Sequence, residues 1–97
     1  MVSWTDHALA QLRSIHDYIA QDSAIYAKRV SEAVVKRTQH LDELPYKHRK
    51  IPEINDAQFR EVSQYTYRIL YEIKADKDID VLAVIHKRQD FRAEDLP

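Results

Sequence analysis

Between Tyr67 and Arg88 the chain reads YRILYEIKADKDIDVLAVIHKR, and this stretch limits the fold more than any other. Tyr67, Ile69, Tyr71 and Ile73 alternate with Arg68, Leu70, Glu72 and Lys74. A period of two is that of a strand with one buried face. The second run, Asp78–His86, is apolar through VLAVI and rich in branched residues, so it predicts a central strand covered on both faces. Only Ala75-Asp76-Lys77 separates the two runs, which makes them a hairpin. Both strands carry cations, Arg68 in the first and His86-Lys87-Arg88 at the end of the second. The hairpin is therefore the expected platform for function.

Composition removes several alternatives. The 97 residues suit one domain, 1–97, with residues 89–97 expected to be a flexible polar tail. Glycine is absent, so no glycine loop can cradle a phosphate, and any tight turn at positive φ must use Asn, Asp or another residue. Cysteine is absent too, which excludes disulfides, thiol nucleophiles and thiolate metal sites. No apolar run is long enough for a membrane span, and the start, MVSWTDHALA, lacks the pattern of a signal peptide. A cytoplasmic protein without membrane contact is expected. Charged residues make up 32% but cancel to a net −1, so any nucleic-acid binding would need a local patch.

Met1–Trp4 is a short apolar segment, either an edge strand or a plug on the core. Thr5 or Asp6 can cap a helix over about residues 6–21, with Ala8, Leu12, Ile15 and Ile19 on one stripe and Leu9 and Tyr18 widening it. After Asp22-Ser23 a second helix is expected from about 23 to 44, ahead of Pro45, with Ala27, Val30, Val34, Thr38, Leu41 and Leu44 on one face. The short break makes the helices an antiparallel pair. A cationic linker, PYKHRKIP, leads to a strand at residues 58–64 that places Arg60 and Val62 on one face and Phe59, Glu61 and Ser63 on the other. The fold class is α+β, in the order strand-helix-helix-strand-strand-strand, with a helical hairpin packed on a small antiparallel sheet.

Chemistry could arise if Arg60, Arg68 and the His86–Arg88 end converge across neighbouring strands, because arginines held on strands grip phosphate or carboxylate bidentately. The plainer alternative pairs each arginine with Glu61 or Glu72 as ordinary cross-strand charges. His86 could exchange protons near neutral pH, or pack with one nitrogen satisfied. Tyr65, Tyr67 and Tyr71 could stack on bases, or serve as core with hydroxyls at the rim. The histidines show no ligand spacing and the serines no nucleophile elbow, so no metal, no cofactor and no hydrolytic triad are expected.

A set of short motifs occurs in order. Trp4 precedes a helix, and Tyr18-Ile19 stands near its end. Leu44-Pro45, Ile51-Pro52-Glu53 and Arg60-Glu61 follow, then Tyr67-Arg68-Ile69-Leu70-Tyr71, and Val84-Ile85-His86 before Arg88. Together they resemble the RelE/ParE toxin superfamily, and its ParE-like branch in particular, over about residues 4–88. The resemblance implies a toxin of a bacterial type II toxin–antitoxin pair, neutralised by a ParD-like or similar antitoxin and serving growth arrest and plasmid or genome stabilisation. ParE-like members poison DNA gyrase; RelE-like members cut messenger RNA on the ribosome, so nucleic acid would be a direct ligand only in the second case. Carried over by position, the RelE arginines fall on Arg68 and Arg88, and its lysine pair on Arg60 and Val62. Its C-terminal tyrosine has no counterpart near Glu94, and Phe91 lacks a hydroxyl. The resemblance thus favours gyrase inhibition with Arg60, Arg68, Lys87 and Arg88 as target contacts. A metal-independent ribonuclease using Arg60, Arg68, His86 and Arg88 is the alternative, and a non-toxic antitoxin-binding remnant a third.

Overall fold

A computed structural model describes residues 1–89 and 92–96. It contains β1 (Val2–Trp4), α1 (Asp6–Ala20), α2 (Ala24–Thr38), β2 (Arg49–Lys50), β3 (Phe59–Gln64), β4 (Tyr67–Ile73) and β5 (Ile79–His86). This is the expected α+β architecture, with one two-residue strand, β2, inside the segment read as linker. The strands form one sheet in the order β1-β5-β4-β3-β2. The three hairpin contacts are antiparallel, whereas β1 lies parallel to the start of β5, with Val2 opposite Ile79 and Trp4 opposite Val81. Met1–Trp4 is therefore an edge strand, held because the intervening helices return the chain to the same end of the sheet.

Each helix starts at a side-chain cap. The Thr5 hydroxyl accepts the Ala8 N–H, and the Ser23 hydroxyl accepts the Tyr26 N–H, each at 3.1 Å. These bonds satisfy amides that have no intrahelical partner. Ala8, Val30 and Val34 are buried against the sheet, with Leu12, Ile15 and Ile19 packed on the same core, and Ala27 is fully buried as well. Leu9 and Tyr18 do not join the stripe and stand exposed. The second helix ends at Thr38, not near Leu44. There the Thr38 hydroxyl donates to the Val35 carbonyl at 2.7 Å, and turns carry the chain on to Pro45. Such local bonding competes with helix propagation. Leu41 still reaches the core from the turn, while Leu44 is exposed.

The sheet is covered on both sides. On the helix side lie Val62, Ile69, Tyr71, Ile73, Ile79, Val81 and Val84. On the other side Leu70, Ala83 and Ile85 pack under Ile51, with Ile54, Phe59 and Leu96 half-buried around them. The expectation that Tyr67–Ile73 buries one face is thus corrected. The 51–59 connection folds back over Arg68 and Leu70 and buries the second face as well. A register shift between Leu70 and Tyr71 pairs them with Ala83 and Val81, so Leu82 is the extra residue of a bulge. The bulge reverses the phase of alternation along β5, which is how an unbroken apolar run serves both layers.

With no glycine available, left-handed backbone falls on Asn55, Tyr65, Asp76 and Lys77, with φ between 54° and 63°. Asp76 and Lys77 form the β4–β5 turn, and Tyr65 the β3–β4 turn.

Candidate functional site

The sheet pairing decides where each cation goes. On β3, Arg60 shares the face of Val62, which is the helix side, and Glu61 points the other way. On β4, Arg68 lies opposite Ser63 and Ile85, on the face of Leu70 and Glu61. Arg60 and Arg68 therefore leave opposite faces of the sheet, and the expected convergence of Arg60, Arg68 and Arg88 does not occur. Parity is the reason: residues 60 and 68 occupy strands whose pairing puts Arg60 beside Tyr71 and Arg68 beside Ser63.

Arg60 is half-buried in a different task. Its Nε–H donates to the Ala57 carbonyl at 2.8 Å and one terminal nitrogen to the His48 carbonyl at 3.0 Å, while the guanidinium lies 5.2 Å from the Tyr46 ring centroid. It ties the 45–48 connection to β3 through carbonyl bonds and a cation–π contact. His48, partly buried in that connection near Arg37 and Lys47, has its pKa lowered, first by burial and then by those charges.

Arg68 is the centre of an ionic network on the other face. Glu61 takes two of its bonds, from Nε–H at 3.1 Å and from a terminal nitrogen at 2.6 Å. Glu53, on the covering connection, takes two more at 2.8 and 2.7 Å. Arg49 from β2 reaches Glu61 at 3.2 Å. The Glu61 side chain is only 3% exposed and that of Arg68 10%. Charges taken out of water at that depth persist only when paired and hydrogen-bonded. The bonds from Glu53, then those from Glu61, raise the Arg68 pKa further above its already high ordinary value. The bond from Arg68 holds the Glu53 carboxyl below the usual range. Of the two readings open for this arginine, pairing with Glu61 is the one the structure adopts. Glu53 and Arg49 complete a network in which sequence alone offered only the cross-strand partner, since contacts from a connecting segment follow no period.

Lys87 and Arg88 stand exposed in the turn after β5. The Lys87 N–H donates to the Thr66 carbonyl at 2.8 Å, fixing the turn beside the β3–β4 tip. The Lys87 side chain borders an open cleft of about 470 Å³ shared with Arg49, Pro52, Glu53, Glu61, Ser63 and Arg68. The structure thus brings Lys87 together with Arg68 and sets Arg88 one residue further along the same turn.

His86 belongs to the helix side, opposite Tyr67, whose ring it meets edge-on at 5.8 Å. Its Nδ1 accepts the Arg88 N–H at 3.1 Å, so a neutral ring carries its proton on Nε2. This is the packing arrangement with one satisfied nitrogen. Tyr71 is fully buried and donates its hydroxyl to the Pro45 carbonyl at 2.8 Å, which makes it core and not a stacking platform. Among the described residues no group of three or more His, Cys, Asp or Glu is placed to hold a metal ion, and no helix is long and apolar enough to cross a membrane.

The set Arg60, Arg68, His86 and Arg88 is therefore not one constellation. Arg60 and His86 lie on the helix side, separated along the sheet, and Arg68 lies behind them. Val62, at the place of the second cation of the resembled ribonucleases, is buried in the core.

Comparison with known proteins bears on the family and the fold. The family model described as "ParE toxin of type II toxin-antitoxin system, parDE" matches residues 2–91. A solved structure titled "Chromosomal ParDE TA system from P. aeruginosa" superposes with a TM-score of 0.71 at 19% identity, covering 88% of this chain and 92% of that one, a likeness of fold. No curated protein sequence matches the chain. Because the family match extends over nearly the full sequence and the fold agrees, the chain belongs to the ParE toxin family of type II toxin–antitoxin systems.

Proposed function

We propose that this ParE-family toxin poisons DNA gyrase in the cytoplasm by protein contact, without catalysis of its own, and that a cognate ParD-like antitoxin neutralises it. The observation that carries the choice of target is the division of the cations across the sheet. Metal-free RNA cleavage needs cations for the phosphorane charge and a proton-transfer group gathered around one phosphate. Here Arg68 and His86 leave opposite faces of the sheet, so they do not gather around one phosphate. Target contact falls to Lys87 and Arg88, which are exposed and adjacent, while Arg60 and Arg68 act by holding the two faces in shape. The antitoxin reading is supported by the family and by the exposed apolar side chains of the helical hairpin, Leu9, Tyr18, Ile25, Tyr26 and Val35. A segment that folds on binding would cover them.

The test is to induce the protein alone in cells and follow both chromosome integrity and transcripts. Gyrase-linked double-strand breaks with intact messages are expected, and co-expression of the antitoxin should prevent them. Cuts at codons would replace this reading with the ribonuclease. Growth without arrest, with the antitoxin still bound, would mark a binding remnant. Lys87→Ala with Arg88→Ala should abolish the breaks without changing thermal stability.

A further inference from the structure

The cleft beside Arg68 already contains an anion, and that anion belongs to the chain. Arg68 holds two carboxylates in unequal settings. Glu61 is 3% exposed and bonded also to Arg49, so it is the permanent partner. Glu53 is 30% exposed, at the mouth of the cleft, and meets the guanidinium end-on, its two oxygens accepting from the two terminal nitrogens. Its neighbours are anchored independently. Ile51 is fully buried, and the Ile54 and Asn55 N–H groups both donate to the Ile51 carbonyl. The Glu53 side chain can therefore rotate outward while the backbone of its loop stays in place. Arg49, Arg68 and Lys87 already border the open cleft of about 470 Å³, and among the described residues the outward turn leaves Glu61 as the carboxylate bonded to Arg68. Among the described residues Lys87 makes no ion pair, so one cation of the rim is uncommitted.

We propose that Arg68, Arg49 and Lys87 form a carboxylate-binding site, that Glu53 is its internal occupant, and that an acidic protein segment binds by taking the place of Glu53. A guanidinium edge accepts a carboxylate through two parallel bonds, and that geometry is already realised here by Glu53. An acidic side chain matches it better than a nucleic-acid backbone does. The chain carries a net charge of −1, which gives no general attraction for a polyphosphate backbone. An internal competitor weakens the apparent affinity by the fraction of time it occupies the site. Glu53 thereby limits the site to partners that bring more than one carboxylate. This inference stands apart from the choice of gyrase as target.

The probe is an acetylated, amidated hexaglutamate peptide, titrated into isotope-labelled full chain while the signals of the terminal Arg68 guanidinium N–H groups, which Glu53 holds, are followed. Glu53→Gln, which cannot pair ionically but still fills the space, should bind the peptide about tenfold tighter than the unaltered chain. The Arg68 signal should shift on binding, and adding Lys87→Ala should remove most of the gain. Glu53→Ala should behave like Glu53→Gln. In the unaltered chain, saturating peptide should displace Glu53 and move its own resonances, a readout that needs no variant. Equal affinities for folded variants and unaltered chain would overturn the proposal. So would a Glu53 signal that stays fixed at saturation. An equal gain with hexathymidylate would overturn the carboxylate assignment in favour of a general phosphate site.

Discussion

At the scale of single residues the arrangement turns on Arg68, which joins three segments through acids from two of them and through its own strand. Glu61 is the member that cannot be spared. Removing it takes two bonds from a guanidinium that is 10% exposed, and takes from Arg49 the carboxylate it reaches. Breaking a buried pair from one side costs about 3–5 kcal/mol, so Glu61→Ala should lose that much in urea unfolding and stand close to the unfolding limit. Glu53 has a different signature. Its folded-state pKa is depressed by Arg68, so its contribution to stability is complete above the ordinary carboxylate range and is lost as pH falls through that range toward the depressed value. Urea midpoints followed from neutral pH into acid should therefore drop less steeply in Glu53→Gln than in the unaltered chain; parallel curves would show that Glu53 is not the titrating partner. How much of this was legible in the sequence divides cleanly. The alternation of Phe59–Gln64 already put Arg60 with Val62 and against Glu61. What no local pattern could supply was the pairing of Ser63 with Arg68, which sets Glu61 under the guanidinium, or the return of Glu53 from a connecting segment.

At the scale of elements, β3, β4 and β5 were readable by their apolar patterns and the first helix by its stripe and cap, whereas the two-residue β2 lay inside the segment read as linker. Thr5 and Ser23 start the helices as their side chains suggest. The far end of α2 was not readable. Leu41 and Leu44 continue the helical spacing past Thr38, yet the hydroxyl there bonds back to Val35 and the chain leaves the helix while still delivering Leu41 to the core. Apolar spacing reports burial, and a turn can bury a side chain as well as a helix can. The β4–β5 turn shows the cost of a sequence without glycine. Lys77 sits at φ 63°, in a region where a Cβ crowds the following carbonyl by about 1–2 kcal/mol. Glycine removes that strain but has more freedom to lose on folding. Lys77→Gly should therefore stabilise the domain by about 0.5–1 kcal/mol, read as a higher urea midpoint with unchanged slope. Glycine at Ala75, which is not at positive φ, should destabilise instead, and the two signs together separate relief of strain from a general loosening of the turn.

At the scale of the whole molecule, two covering layers, helices on one face and the 51–59 connection on the other, must stay registered on one sheet. Tyr71 is the residue that spans this arrangement on the helix side. It lies in the middle of β4, fully buried, and its hydroxyl donates to the carbonyl of Pro45, at the start of the connection that later delivers Arg49 and Glu53 to the opposite face. Burial pushes its pKa up to about 12 from the ordinary 10.0. A folded-state pKa above the unfolded value means that the neutral phenol contributes its full stability below the ordinary range and loses it as pH rises from about 10 to about 12. Two pKa units correspond to about 2–3 kcal/mol at the alkaline end. Tyr71→Phe should remove this alkaline slope, at a cost near neutrality of about 1–2 kcal/mol for the Pro45 carbonyl left without its donor. The curves of the two proteins should then approach each other, or cross, above pH 10, when stability is measured by urea unfolding at fixed ionic strength. If Tyr71→Phe keeps the full alkaline slope, the tether to Pro45 is not what alkali breaks. In that case the slope belongs to Tyr67, raised first by burial, or to Lys74, raised by its bond to Asp80.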